Sequence, residues 1–357
     1  MTDSRSGKST TASIRGLFVL EKSSLGFLSF PEPEPGPYQA LVRVAACGIC
    51  NSTDWKIIQG RSKQGPFPIL LGHESAGVVV KAGSRVRSFS EGDLVLRARL
   101  EDSDVASTGG CSRFGGFSQG ALVTDVWAEQ GVGYNAFAHP QQKVPPCIAP
   151  REAPVLITLK ETLYTLKAAG AAHRRSLAIV GTGPAAQMMT ALAKILGISP
   201  VFVFGRRERW GGLFSRLGAD GYAWVERVPE DARRILREGG FDLSVEAVGS
   251  SPALRTCLSV TGPGGRVAVY GMPADDEPYE SQLIKDPRVM QLKVREGEVH
   301  EELLGYLERG ELTLSEWVDR VLPWDRFQEG FELVREKQAR KVVLTVHPPT
   351  EGQEKRS

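Results

Sequence analysis

Two textures of hydrophobic and polar positions divide the chain. From residue 14 to about 153, apolar residues fall in short runs, such as 39–46 and 74–80, punctuated by glycine and proline. That pattern predicts the strands of an irregular, mostly antiparallel domain. The stretch 31–37, PEPEPGP, is an extended connector, because proline has no amide to donate and clashes with a preceding helical turn. From about residue 154 to 295 the texture changes. Apolar runs at 176–180, 201–204, 222–225, 242–248 and 266–270 alternate with stretches at 187–197, 206–217, 229–237 and 252–260 that suit helices. Such alternation predicts an α/β fold with a doubly wound parallel sheet covered on both faces. Two more helices, 301–310 and 324–338, and a last strand, 341–346, follow.

The turn after the first strand of the alternating half carries chemistry. Gly181-Thr-Gly183-Pro184-Ala185-Ala186 leaves a strand and opens a helix. Gly181 permits the tight turn, Gly183 lets backbone approach a pyrophosphate, Ala186 allows close packing of helix on sheet, and the N-terminus of the helix that follows Pro184 and Ala185 faces the anion. In NAD proteins a ribose-binding carboxylate stands about 20 residues further on. Here the end of the second strand reads Phe204-Gly205-Arg206-Arg207. Gly205 removes the charge that would repel a 2′-phosphate, and Arg206 and Arg207 can pair with one. NADP(H) is therefore the expected cofactor.

Composition narrows the setting. A chain of 357 residues is long enough for two domains. Its 44 basic and 42 acidic residues nearly cancel, so no overall field points to nucleic acid. No apolar run reaches the roughly 18 residues of a membrane span. The polar residues 1–13 lack the apolar core of a signal peptide and are expected to form a loose tail. Five cysteines, an odd number, argue against a disulfide framework and for a reducing cytoplasm.

The segments CGICNSTD (47–54) and GHESAGVVVKAGSRVRSFSEGDLV (72–95) resemble the catalytic-domain signature of the medium-chain dehydrogenase/reductase superfamily, of the zinc-type alcohol-dehydrogenase kind. FGGFSQGALV (114–123), the glycine loop, GGRVAVYGMP (264–273) and RKVVLTV (340–346) extend the resemblance over nearly the whole chain. It implies a β-rich GroES-like catalytic domain, from 14–153 and 296–357, with a Rossmann domain at 154–295 between its parts. It also implies hydride exchange between a nicotinamide and an alcohol carbon, with a zinc ion polarising the oxygen.

Residue by residue, Cys50 and His73 match metal ligands with Glu74 beside them, a donor set that suits zinc. Ser52 or Thr53 matches the hydroxyl that passes the substrate proton outward, and Asp54 the acid that buttresses the ligand histidine. The spacing from the cysteine to Asp54 is one residue longer than the family's, which leaves Ser52 and Thr53 both open. Lys341 matches a basic residue that reaches the cofactor phosphates. Cys47 is expected to be packed and not to ligate, and a Cys47/Cys50 redox pair lacks a thioredoxin-like context. His139, His173, His300 and His347 are expected at the surface or hydrogen-bonded. Trp55, Lys56, Trp127 and Tyr134 are candidate pocket residues for the alcohol or carbonyl substrate.

Two departures alter the picture. The four-cysteine structural zinc lobe of many relatives would fall near 97–115, where only Cys111 stands, so one catalytic zinc at most is expected. The third catalytic ligand aligns near Thr158, a poor zinc donor, and Glu161 would need a shift of register to replace it. The leading reading is an NADPH-dependent, zinc-assisted alcohol/carbonyl oxidoreductase. The competing readings are a zinc-free reductase of a carbonyl or activated alkene, and a cofactor-binding protein whose site has decayed. A homodimer or homotetramer is expected, by edge pairing at 266–270 and 289–295, and neither nucleic acid nor membrane is an expected partner.

Overall fold

The computed structural model describes residues 12–62, 65–112, 114–224 and 228–347. The tail expected at 1–13 lies almost wholly outside them.

Six strands form one sheet in which every pairing is parallel. Across it they run Gly221–Trp224, Val201–Gly205, Leu177–Val180, Phe241–Glu246, Thr261–Val269, Val289–Gln291. Strand order reverses between Leu177–Val180 and Phe241–Glu246, and the crevice at the carboxyl ends of that pair is where such sheets bind ligands. Leu177, Ala178 and Ile179 are fully buried, as a strand covered on both faces requires.

Seven strands form the larger sheet of the other domain. Its centre is Gln39–Gly48, paired antiparallel with Glu74–Ala82, Gly120–Thr124 and Val342–Thr345. A four-stranded sheet built on Ser13–Glu21 lies beside it. Because Leu344 pairs with Cys47 and Val343 with Gly48, the far end of the chain is laid against its first half. The helix Val155–Ala168 runs from this domain toward the parallel sheet. Four of its polar side chains, Thr158, Lys160, Thr162 and Thr165, are buried. Thr162 and Thr165 satisfy their hydroxyls on carbonyls one turn back, those of Thr158 and Glu161.

Four elements differ from expectation. The helix foreseen at 187–197 spans Pro184–Ile195, because proline suits the first helical position that follows the Gly183 cap. The helix foreseen at 206–217 starts at Gly211 after a 3-10 turn, Glu208–Trp210, because Arg207 is extended and Gly211-Gly212 are poor helix formers. The strand foreseen at 266–270 begins at Thr261 and carries an irregularity opposite Phe241–Leu243. The helix foreseen at 324–338 begins as a 3-10 turn and ends at Arg335, with Lys337 left-handed at φ 59°. No helix among the described residues is long and apolar enough to cross a membrane.

Candidate active site

The register of three strands assembles the site. Cys50 follows the end of Gln39–Gly48, and the intervening Ile49 donates its amide to Val342 of the terminal strand at 2.9 Å. Glu74 begins Glu74–Ala82 and stands opposite Gly48. A Cβ at residue 48 would lie 2.6 Å from Glu74 Oε2, so glycine there leaves room for the carboxylate. Gly72, at φ 98°, turns the chain into His73, and its backbone packs too closely on Phe117 to admit a side chain.

Asp54, on the short helix Thr53–Ile58, is fully buried. Its Oδ2 accepts the Cys50 amide at 2.9 Å, and its Oδ1 lies 3.3 Å from His73 Nδ1. That second contact has the separation of an ion pair without completed hydrogen-bond geometry. Holding Nδ1 leaves Nε2 of the imidazole free to donate to an ion. Burial opposes charge on His73, but Asp54 and then Cys50 outweigh it and hold its pKa well above the ordinary value. Donor atoms of Cys50, His73 and Glu74 all lie within 4.8 Å of one another. A soft sulfur, an imidazole and a carboxylate at that spacing fit zinc.

Glu74 is already engaged, however. Its Oε2 accepts from Lys341 Nζ at 2.5 Å and its Oε1 from the Thr158 hydroxyl at 3.1 Å. Lys341, expected at the cofactor phosphates, is instead buried in the donor cluster, 3.5 Å from Thr158 Oγ1 as well. The reason is register: residue 341 enters the terminal strand beside Gly48, and its side chain passes over that glycine to the carboxylate. Burial would raise the pKa of Glu74, but Lys341 and then His73 hold it below the ordinary value. Glu161 is not among the donors; Arg97 binds its Oε1 at 2.5 Å and the Tyr270 hydroxyl its Oε2 at 3.2 Å.

The hydroxyl candidates separate. The exposed Ser52 accepts from Lys56 Nζ at 3.0 Å, and Lys56 also donates to the Met272 carbonyl of the other domain. The Thr53 amide lies 3.5 Å from Cys50 Sγ. Trp127 and Tyr134, offered as pocket residues, do not line the site. Trp127 is fully buried against Phe89, Tyr134 and Phe137 and donates to the Phe137 carbonyl, so the pair belongs to an aromatic core. His300 and His347 bond carbonyls, of Lys143 and Val44.

On the parallel sheet, Gly181 has φ 137° and its amide donates to the Phe204 carbonyl at 2.9 Å. Gly183 caps the helix Pro184–Ile195 in an extended conformation, with open space where its side chain would be. Ala185 is half-buried and Ala186 buried against the sheet. Gly205 ends Val201–Gly205, and a Cβ there would stand 2.0 Å from the Tyr222 hydroxyl. Tyr222 donates to the Arg207 carbonyl at 2.8 Å and so takes the space in which a ribose-binding carboxylate would sit. Arg206 and Arg207 are exposed beyond it. Partial burial, then Arg207, Arg206 and Arg209, lower the pKa of Lys337, so a lysine of the catalytic domain joins this cationic group. Neither Tyr222 nor Lys337 bore a local motif; only strand order and domain packing bring them in.

A metal-donor group on a β-rich domain, facing the switch point of a doubly wound sheet, defines an oxidoreductase that works with a dinucleotide. Residues 36–132 match the model of the alcohol dehydrogenase GroES-like domain and residues 184–303 that of the zinc-binding dehydrogenases. The chain belongs to the medium-chain dehydrogenase/reductase superfamily, in its zinc-type alcohol-dehydrogenase-like branch. It is 27% identical to an L-threonine 3-dehydrogenase of Proteus mirabilis (strain HI4320), over 88% of this chain and 94% of that one. An L-threonine 3-dehydrogenase of Anaeromyxobacter sp. (strain K) is 29% identical, over 88% and 93%. Among solved structures, alcohol dehydrogenase TADH from Thermus sp. ATN1 superposes with a TM-score of 0.74 at 25% identity, over 93% of this chain and 100% of that one. A zinc-binding dehydrogenase of Sinorhizobium meliloti 1021, solved with NADP bound, shares the fold at 22% identity and a TM-score of 0.74, over 94% and 99%. Alcohol oxidoreduction with a nicotinamide cofactor is the activity this membership supports.

Proposed function

We propose that the chain interconverts an alcohol and a ketone or aldehyde, using NADPH/NADP and a single zinc ion. The observation that carries this reading is the grouping of Cys50, His73 and Glu74 within 4.8 Å, with Asp54 holding the imidazole. A zinc ion there supplies a Lewis acid for the substrate oxygen, and the nicotinamide supplies the hydride acceptor or donor. Cys50 and His73 would hold the ion, and Glu74 would join them in competition with Lys341 at Oε2 and Thr158 at Oε1. Thr53, next to Cys50, carries the substrate proton outward, since Ser52 is tied to Lys56. Gly183 and the helix it caps face the pyrophosphate. Arg206 and Arg207, with Lys337 opposite, pair with the 2′-phosphate.

One observation favours the zinc-free reductase as second reading: Thr158 stands where a third anionic ligand is needed, and an ammonium already neutralises Glu74. Elemental analysis of gently purified protein, followed by NADPH turnover with and without added zinc, separates the two. Zinc near one equivalent per chain, with turnover lost to chelator and restored by zinc, supports the metal-assisted reaction. A metal-free protein whose turnover ignores zinc overturns it. The substrate panel includes L-threonine because of the named relatives, alongside polyols, sugar ketones and secondary alcohols.

A further inference from the structure

Behind the donor cluster lies a group of charges that the reaction does not use. Arg97 follows the strand Leu94–Leu96 in a left-handed conformation, φ 55°, which a non-glycine residue adopts only where its surroundings enforce it. Its guanidinium is shared three ways. Nε and Nη2 grip both oxygens of Glu296 at 2.6 Å, Nη2 also reaches Glu161 Oε1 at 2.5 Å, and Nη1 donates to the His73 carbonyl at 2.9 Å. The Arg97 amide donates to the Ser75 carbonyl at 2.9 Å, so the residue brackets Glu74 by its backbone on one side and its side chain on the other. Glu161 belongs to the helix Val155–Ala168, and Glu296 to the segment returning from the parallel sheet.

The chain of contacts does not stop at Glu161. Tyr270 directly follows the strand Thr261–Val269, and its amide donates to the Glu246 carbonyl at 3.0 Å. Its backbone therefore sits at the carboxyl edge along which a dinucleotide lies in sheets of this order. Its hydroxyl leaves that edge and donates to Glu161 Oε2 at 3.2 Å. Glu161 is thus held by a guanidinium from one domain and a phenol from the other.

We propose that Arg97 is the positioning residue for His73, and that Tyr270, through Glu161, makes its setting depend on the dinucleotide-binding edge. The guanidinium fixes the carbonyl of the donor histidine. Glu296 and Glu161 fix the guanidinium, and Tyr270 completes the hold on Glu161. A dinucleotide that immobilises residues 270–272 then tightens the loop carrying His73, so cofactor and metal donors are set together.

The inference rests on a nicotinamide dinucleotide binding at that edge and not on which one. The test measures hydrogen exchange across residues 69–77 of the full chain, free and saturated with NADPH or NADH. Binding of each is measured separately, so equal affinity for the two would defeat the 2′-phosphate reading while leaving this one to be judged. In the parent protein the bound dinucleotide slows exchange at 72–76. Tyr270→Phe abolishes that slowing while the dinucleotide Kd stays within about threefold. Arg97→Gln leaves 72–76 fast in both states and Arg97→Lys restores part of the protection. Should Arg97→Gln fail to fold, Tyr270→Phe decides alone, since it deletes one hydroxyl and keeps the ring. No slowing in the parent with either dinucleotide, or slowing in Tyr270→Phe equal to the parent's, overturns the proposal.

Discussion

Glu74 has one carboxylate and three claimants for it: Lys341, Thr158 and a metal ion. Removing the ammonium changes the contest. In Lys341→Met, Glu74 is left buried and unpaired, which costs about 3–5 kcal/mol, and a bound cation offsets that cost. The metal-free variant should therefore melt well below the parent, and added zinc should raise its Tm more than the parent's. Thr158→Cys should also tighten zinc by adding a thiolate, whereas Glu74→Gln should loosen it. Melting curves with chelator and with zinc check all three, and an equal zinc response in parent and Lys341→Met sinks the account. The cofactor side makes its own prediction. A hydrogen bond to a charged group is worth about 1.5–3 kcal/mol, so NADPH should bind roughly tenfold or more tightly than NADH, and Arg206→Ala should erase most of the difference. Gly205→Asp alone should not create an NAD enzyme. Its Cβ would meet the Tyr222 hydroxyl at 2.0 Å, so the overpacked variant loses about 1–3 kcal/mol of stability in a thermal melt. Paired dissociation constants for the two cofactors, on parent and variants, decide the matter.

The helix Val155–Ala168 illustrates what was legible at the level of elements. From sequence, Thr158 could be singled out as the place of the third ligand. The alternation of apolar runs also told strand from helix across the parallel sheet, because burial on both faces leaves a continuous signature. Helix starts were less legible, as at Gly211, where a Gly-Gly pair delays the first turn. What the helix buries was not legible at all, because Lys160, Glu161, Arg97 and Glu296 meet only once both domains have packed. Lys160 is fully buried, 3.2 Å from Gln142 Oε1 and 3.9 Å from Glu296 Oε1. Burial, which Glu296 only partly offsets, pushes its pKa down to about 8. In the unfolded chain that pKa returns to 10.5, so between the two values the unfolded state binds more protons. The Lys160 contribution to stability therefore improves as pH rises from about 8 to 10.5. Lys160→Met keeps the volume and removes the charge, and Glu296 retains Arg97. The Tm difference between this variant and the parent should be largest below pH 8 and shrink toward pH 10. A difference independent of pH would show that burial of the ammonium is not what the substitution relieves.

At the scale of the molecule, contacts besides the Tyr270–Glu161–Arg97 chain join the domains near the site: Lys56 on the Met272 carbonyl, and Arg61 on Asp276 and Glu277. Partners so far apart in sequence leave no local pattern; Lys341 and Glu74 are 267 positions apart, which is why a lysine expected at a phosphate was found at a carboxylate. Assembly, by contrast, can be argued from topology. The stretch 266–270, expected at a dimer contact, lies in the strand Thr261–Val269, which is paired on both sides over residues 267–269. Of the two edges of the parallel sheet, the one nearest this stretch is Val289–Gln291, whose outer backbone groups no other strand pairs among the described residues. An open edge is an invitation to another chain, and a twofold axis beside it brings in the same strand, antiparallel. Two six-stranded sheets would then run on as one, with Val289 and Met290, both half-buried in the single chain, packed across the axis. Light scattering at micromolar concentration should accordingly give twice the chain mass, or four times if pairs associate again. Met290→Lys puts a charge at the seam, of the kind that blunts edges elsewhere, and should shift the protein toward monomer without changing its dinucleotide affinity. A monomeric parent, or a variant that stays dimeric, would place the contact somewhere other than this edge.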